Sequence, residues 1–190
     1  MNSVKCKETK ELPVNAIRES LELDLSSKSG LRWKFRPWHH FKTESSWKMW
    51  NTRFSGKPAG RVVVCNGKRY FSLCLNYREY LAHRIVFAAA NGLDLLSSNV
   101  DHIDGNGLNN DPANLRLATV AENGRNRGAQ RNNTSGKKGV SFEKRVGRWR
   151  ASVQVSGKHV HIGHYDNLDE ASAAYEASAR KHFGEFYRPS

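Results

Sequence analysis

Hydrophobic and polar positions alternate most cleanly near the C-terminal end of the chain. In GRWRASVQV, Trp149, Ala151, Val153 and Val155 share one parity, and Arg148, Arg150, Ser152 and Gln154 share the other. Period-two alternation predicts a strand with one buried and one wet face. Val160 and Ile162 against His159 and His161 repeat the pattern, and Ser156-Gly157 suits the turn between the two strands. The period then lengthens. Ala171, Ala174, Tyr175 and Ser178 fall on one face of a helix that Asn167 and Glu170 can cap. Small residues on that face let the helix lie close to the sheet, leaving the sheet's other face free.

Upstream, RVVVCNGKRYFSLCL sets Asn66-Gly67 between two apolar runs. Asn-Gly supplies the positive φ angles of a type I′ turn and predicts a hairpin. HRIVFAAANG then reads as a helix ended by Gly92. Residues 12–25 hold a weak pattern for a short helix. The stretch LRWKFRPWHHFKTESSWKMWNTRF gathers four of the five Trp among basic residues. It suits either stacking on nucleic acid or a small core with Arg covering the rings. Between Gly124 and Lys138 the chain is rich in Gly, Asn and Arg without an apolar period, so it reads as a linker. Its residues 124–136 span about 40 Å if extended, either as a tether or along a DNA groove. The resulting division is 1–60 (mixed, basic and aromatic), 61–123, a linker at 124–138, and 139–186.

Charge changes the picture by its distribution. The net charge is +13, and residues 116–164 carry eleven Lys/Arg against two Asp/Glu. Such a stretch attracts a polyanion, because neutralised phosphates release condensed counterions. The longest apolar run, Ile85 to Ala90, has six residues, far short of the roughly 20 a spanning helix needs. The N-terminus has no apolar h-region, so an intracellular protein is expected, with no membrane partner. Cys6, Cys65 and Cys74 form no CxxC pair. They are expected to be reduced thiols, with no structural zinc site.

Candidate chemistry lies in DHIDGNGLNNDPANLRLATVAEN, residues 101–123. Residues 100–103 can form a short strand, 104–113 a polar loop, 115–118 a return strand, and Thr119 with Glu122 a capping box for a helix carrying Asn123. Cutting a phosphodiester needs a base for water and positive charge for the leaving oxygen. His102 can be the base. On a strand Asp101 points to the opposite face, where it and Asn123 offer oxygens suited to Mg²⁺. An EF-hand fails, because the loop beginning at Asp104 has Leu108 at its fifth position and no Gly at its sixth. A polar loop satisfying its own backbone remains the alternative on spacing alone.

The same stretch resembles the HNH nuclease motif in its asparagine-ending, phage homing-endonuclease variant. Asp101-His102 matches the opening pair, Asn114 follows His102 by 12 residues, and Asn123 follows by 9 more. The resemblance implies that His102 activates water, that Asp101 and Asn123 bind one divalent metal (Mg²⁺, or Mn²⁺), and that Asn114 holds the loop and so orients His102. His83-Arg84 resembles an upstream pair of such proteins and reads as mainly structural, at a helix start. Residues 139–186, through KKGVSFEKRVGRWRASVQV and HIGHYDNLDEASAAYEASA, resemble the Apetala-two (ethylene-response-factor) DNA-binding domain. That resemblance implies a three-stranded sheet reading the major groove. Lys138, Ser141, Arg150, Ser152, Gln154, His159 and His161 fall on its DNA face, to which the alternation adds Arg148. Arg125, Arg127 and Arg131 of the linker are further candidates for contact with the DNA backbone.

The expected fold class is therefore α+β, with a ββα-metal nuclease core and a C-terminal three-stranded antiparallel sheet plus helix. The expected function is a site-preferring homing endonuclease that nicks double-stranded DNA as a monomer without a protein partner, in the host bacterial cytoplasm if phage-encoded. The alternative is a DNA-binding regulator whose nuclease fold is inactive.

Overall fold

The computed structural model describes residues 12–92, 99–125 and 133–187. The chain is mixed α and β with small antiparallel sheets, and it divides into two compact units between Thr119 and Val120. No helix among the described residues is long and apolar enough to cross a membrane.

The first unit opens with a helix, α1 (Val14–Ser20), and a short ribbon of β1 (Leu21–Leu23) and β2 (Leu31–Trp33). The weak helical pattern at 12–25 thus covers a helix and then a strand. A 3-10 turn (Trp38–His40) leads to α2 (Glu44–Phe54), whose N-cap Thr43 accepts a hydrogen bond from Ser46 N. Trp47, Trp50 and Phe54 recur at helical spacing on α2. Arg36 is buried, with its guanidinium 4.9 Å from the Phe41 ring and 4.8 Å from the Trp50 ring. Of the two readings of this aromatic stretch, the small core covered by an arginine is the one built here. Trp33 joins it edge-on to Trp50.

The predicted hairpin is β3 (Arg61–Cys65) and β4 (Lys68–Leu75), turning on Asn66 and Gly67 at φ of 49° and 77°. A second tight turn at Asn76-Tyr77 adds β5 (Arg78–Leu81), a strand without a clear pattern in the sequence. The helix α3 (Ala82–Asn91) follows and ends at Gly92, φ 63°, as its sequence predicts. Strand β6 (Asn99–His102) pairs with β7 (Leu115–Ala118), and α3 packs against both. The core runs through Leu31, Leu73, Leu75, Ile85, Val86, Val100 and Leu115, so the short β6–β7 ribbon is anchored on the large apolar cluster. Cys74 is free and exposed. Cys65 is disulfide-bonded, which overturns the expectation that every thiol is reduced, since spacing along the chain does not report which sulfurs meet.

The second unit begins with α4 (Val120–Arg125) and holds a three-stranded antiparallel sheet, β8 (Val140–Glu143), β9 (Arg148–Val155) and β10 (Lys158–Tyr165), ordered β10-β9-β8. α5 (Leu168–Phe183) packs on all three strands and is capped by Asn167, whose side chain accepts from Asp169 N. Its buried stripe is Ala171, Tyr175, Ala179 and Phe183, with Ala174 and Ser178 half-buried beside it. A Cβ on Gly139 would collide with the Tyr175 ring, so this glycine is what lets the loop before β8 close over the helix. On β9, Ala151 and Val153 are buried while Arg148, Arg150 and Gln154 are exposed, as the alternation predicts. Val160 departs from it, at 40% exposed. It lies beyond the irregularity in register between His161 and Gly163, towards the turn.

Candidate active site

The β6–β7 ribbon positions the site. Asp101 stands opposite Arg116 and His102 opposite Leu115 in its register. Both Asp101 and His102 are buried. Alternation sends the two side chains to different surroundings. Asp101 Oδ2 meets Arg116 at 3.4 Å, long for an ion pair. The His102 ring packs 4.6 Å from the His83 ring and 6.0 Å from the Tyr70 ring.

Asn110 holds the histidine. Its Oδ1 lies 3.1 Å from His102 Nε2, and its Nδ2 donates to Ser29 O at 2.8 Å. The second bond fixes which end of the amide faces the ring, since a carbonyl oxygen only accepts. His102 Nε2 therefore carries the proton, and Nδ1 is the basic nitrogen of the neutral ring. Burial pushes the His102 pKa below its ordinary value, against the opposing pull of the Asn110 hydrogen bond. The ring is thus neutral at pH 7, the state a general base requires. Burial likewise holds His83 well below the usual histidine range, reinforced by His102 and Arg84. Among the described residues, His83 Nδ1 has no hydrogen-bond partner.

The asparagines of the connecting loop serve the loop itself. Asp104 accepts from Asn106 N at 2.7 Å, Asn109 Nδ2 at 2.8 Å and Asn114 Nδ2 at 3.0 Å. Asn114 returns the contact, its Oδ1 accepting from Asp104 N at 3.1 Å, and its Nδ2 also donates to Asn109 O. Burial raises the Asp104 pKa, but these hydrogen bonds outweigh it and hold the carboxyl below its ordinary value. Asp111 caps the 3-10 turn Pro112–Asn114 through Ala113 N. Gly107 is required where the loop crosses β4: a Cβ there would strike Arg69 O and the Tyr70 ring. The polar loop and the buried pair are therefore both present, one supporting the other.

Sequence spacing singled out Asp101, His102 and Asn114, and these lie on one ribbon and its loop. It missed Asn110, Arg116, Tyr70 and the closeness of His83 to His102. Arg116 was legible from the hairpin register, but nothing in an Asn-Asn pair tells which amide reaches the histidine. Asn123 lies on α4, in the second unit. Asp101, a buried carboxylate next to His102 on β6, offers the kind of oxygen that fits a hard divalent cation.

On the sheet of the second unit, the register aligns Ser141 with Arg150 and His164, Ser152 with His161, and Gln154 with His159. Arg150, Ser152, His159, His161, His164 and Glu143 line a shallow pocket of about 290 Å³ on that face. His164 Nε2 lies 2.7 Å from Glu143 Oε2. Arg148 is engaged by both oxygens of Asp166, at 2.7 and 2.6 Å. Lys138 lies over the Tyr187 ring at 5.7 Å. Arg127 and Arg131 lie outside the described residues, and Arg125 is placed by its helix alone.

A match to a known family falls on the same segment. The family described as HNH endonuclease matches residues 80–125, which hold α3, β6, the loop, β7 and α4. The chain is 38% identical over 112 residues to Protein 3.8 of Escherichia phage T7, covering 59% of this chain and 92% of that one. It is 38% identical over 91 residues to an uncharacterized HNH endonuclease of Acanthamoeba polyphaga mimivirus, covering 48% of this chain and 46% of the other. A third similarity, 35% over 60 residues, is to an AP2-like ethylene-responsive transcription factor of Arabidopsis thaliana and covers 32% of this chain and 12% of the plant protein. No solved structure matches the chain. With nearly the whole of the T7 protein covered, the chain belongs to one family with Protein 3.8, and its residues 80–125 form an HNH endonuclease domain.

Proposed function

We propose that the chain is a site-preferring DNA endonuclease of the homing type that nicks one strand of duplex DNA as a monomer, with His102 as general base. The observation that carries this reading is the His102–Asn110–Ser29 relay, which fixes a neutral, oriented imidazole on the ribbon of a matched HNH domain. His102 Nδ1 takes a proton from water, and Asn110 steadies the imidazolium that forms by accepting from Nε2–H. Asn114 acts at one remove, locking the loop that carries Asn110. Asp101 and Asn123 are the proposed metal ligands, Asn123 by the family resemblance alone. A divalent cation bound there, Mg²⁺ or Mn²⁺, supplies positive charge for the developing 3′-oxyanion.

The second unit is proposed as an Apetala-two-type DNA-binding module that supplies site preference. Arg150 and Gln154 on its wet face suit guanine and adenine edges in the major groove, with Lys138, Ser141, Ser152, His159 and His161 around them. Arg148 joins them only if its pair with Asp166 opens. Arg125, Arg127 and Arg131 are proposed to contact the phosphate backbone. The test is supercoiled plasmid incubated with Mg²⁺ or with EDTA. Wild type yields relaxed circles only with the metal, and His102→Ala binds the same DNA in a gel shift without cutting it. Binding by wild type with no cutting under any divalent metal would favour the inactive DNA-binding regulator.

A further inference from the structure

A second cluster of ligand-bearing side chains lies in the first unit, on elements the nuclease reading does not use. Glu19, near the end of α1, and the consecutive histidines His39 and His40 of the 3-10 turn converge, one ligand atom from each lying within 4.8 Å of the others. Glu19 Oε2 is 2.9 Å from His39 Nε2 and 2.7 Å from His40 Nε2. We propose that Glu19, His39 and His40 form a second cation site, for a borderline transition ion such as Zn²⁺ rather than Mg²⁺, which staples the end of α1 to the turn after Pro37.

The donor set decides the ion. Two imidazole nitrogens and one carboxylate oxygen are the protein ligands of open four-coordinate sites for Zn²⁺ and its neighbours, in which water takes the fourth position, whereas Mg²⁺ prefers oxygens alone. Exposure leaves room for water as a fourth ligand, since the side chains of His39 and Glu19 are 65% and 44% exposed. His40 is the buried anchor, at 6%. A carboxylate only accepts, so both Nε2 atoms carry protons in the arrangement seen. Binding moves each proton to Nδ1 or releases it, freeing the Nε2 lone pairs. Ser20 Oγ, 3.4 Å from His40 Nδ1, is placed to accept a hydrogen bond from Nδ1–H once the proton sits there. Orienting contacts of this kind support ligating histidines. Arg36 works against the site. Its Nε donates to His40 Nδ1 at 3.3 Å, a bond that must be given up on binding.

Full-length wild type, Glu19→Gln, His39→Ala and Asp101→Ala are dialysed against Zn²⁺ in excess Mg²⁺, which competes for the β6 site. Wild type and Asp101→Ala are expected to retain a full equivalent of Zn²⁺, while Glu19→Gln and His39→Ala lose it. His39 is exposed, so its removal leaves the fold intact, and circular dichroism checks this. Co²⁺ gives an independent readout: a visible absorption band in wild type that disappears in His39→Ala. Zn²⁺ retained by Glu19→Gln and His39→Ala, or lost only in Asp101→Ala, overturns the proposal.

Discussion

Replacing Asn110 isolates the device on which the chemistry rests. Asn110→Ala removes two buried hydrogen bonds, His102 Nε2–H to Oδ1 at 3.1 Å and Nδ2–H to Ser29 O at 2.8 Å. The imidazole N–H and the Ser29 carbonyl both stay behind in a buried setting. At about 1–2 kcal/mol for each group left unsatisfied, the variant loses about 2–4 kcal/mol of stability. That lowers the melting temperature and leaves a folded fraction to assay. The ring also loses what fixes its tautomer and tilt, and nicking falls by about ten- to a hundredfold, the usual range for an orienting partner. Asn110→Asp separates orientation from packing. A carboxylate facing Nε2 favours the imidazolium and raises the His102 pKa. The acid limb of the nicking rate against pH, which in wild type lies below the ordinary histidine value of 6.5 because burial depresses His102, must then move upward. Single-turnover nicking of supercoiled plasmid across pH reads both effects. A wild-type rate in folded Asn110→Ala, or an unmoved acid limb in Asn110→Asp, refutes the assignment of Asn110 as the residue that positions the base.

Further outcomes follow from the same contacts. His102→Ala lowers single-turnover nicking by about a hundred- to ten-thousandfold, the usual worth of a general base, with DNA affinity in a gel shift unchanged. Because the folded pKa values of His83 and His102 lie below the unfolded value, their stabilising share is complete above pH 6.5. It declines as pH falls, while the unfolded chain takes up protons that the folded chain refuses. Thermal melting should therefore fall on acidification below that point, and His83→Leu should fall less steeply. Asp104→Ala removes the acceptor of three loop hydrogen bonds, and denaturant titration should show a loss of about 1–3 kcal/mol. Gly139→Ala places a methyl in the Tyr175 ring at a positive φ, and about 2–4 kcal/mol of destabilisation should appear in the same titration.

The sequence made the second unit legible because its strands are long and half-buried. Alternation in β9 and the 171/175/179 stripe of α5 report directly on which side faces the core. The Asn66-Gly67 turn and the Gly92 stop were legible for the same local reason, a backbone angle that few other residues adopt. What stayed hidden was tertiary. α2 was hidden because its stripe of Trp47, Trp50 and Phe54 is short and lies among polar and basic residues. β5 was masked because its turn uses Asn76-Tyr77 rather than a glycine. In the site, motif spacing reaches Asp101, His102 and Asn114, which sit on one ribbon and its connecting loop. Asn110 and His83 matter because Ser29 and α3 pack against that ribbon, 81 residues away in the case of the Asn110–Ser29 bond, and no local pattern encodes such a meeting.

The central claim is that Asp101 and Asn123 grip one cation while His102 Nδ1 faces the phosphorus beside it. Crystals of the chain with duplex DNA and Mn²⁺, with His102→Ala used to prevent cutting, locate the ion by its anomalous scattering. The account predicts a peak bonded to Asp101 and Asn123 oxygens, with residue 102 directed at the same phosphate. A peak on the ribbon that leaves Asn123 out, or one found only at Glu19, would contradict it.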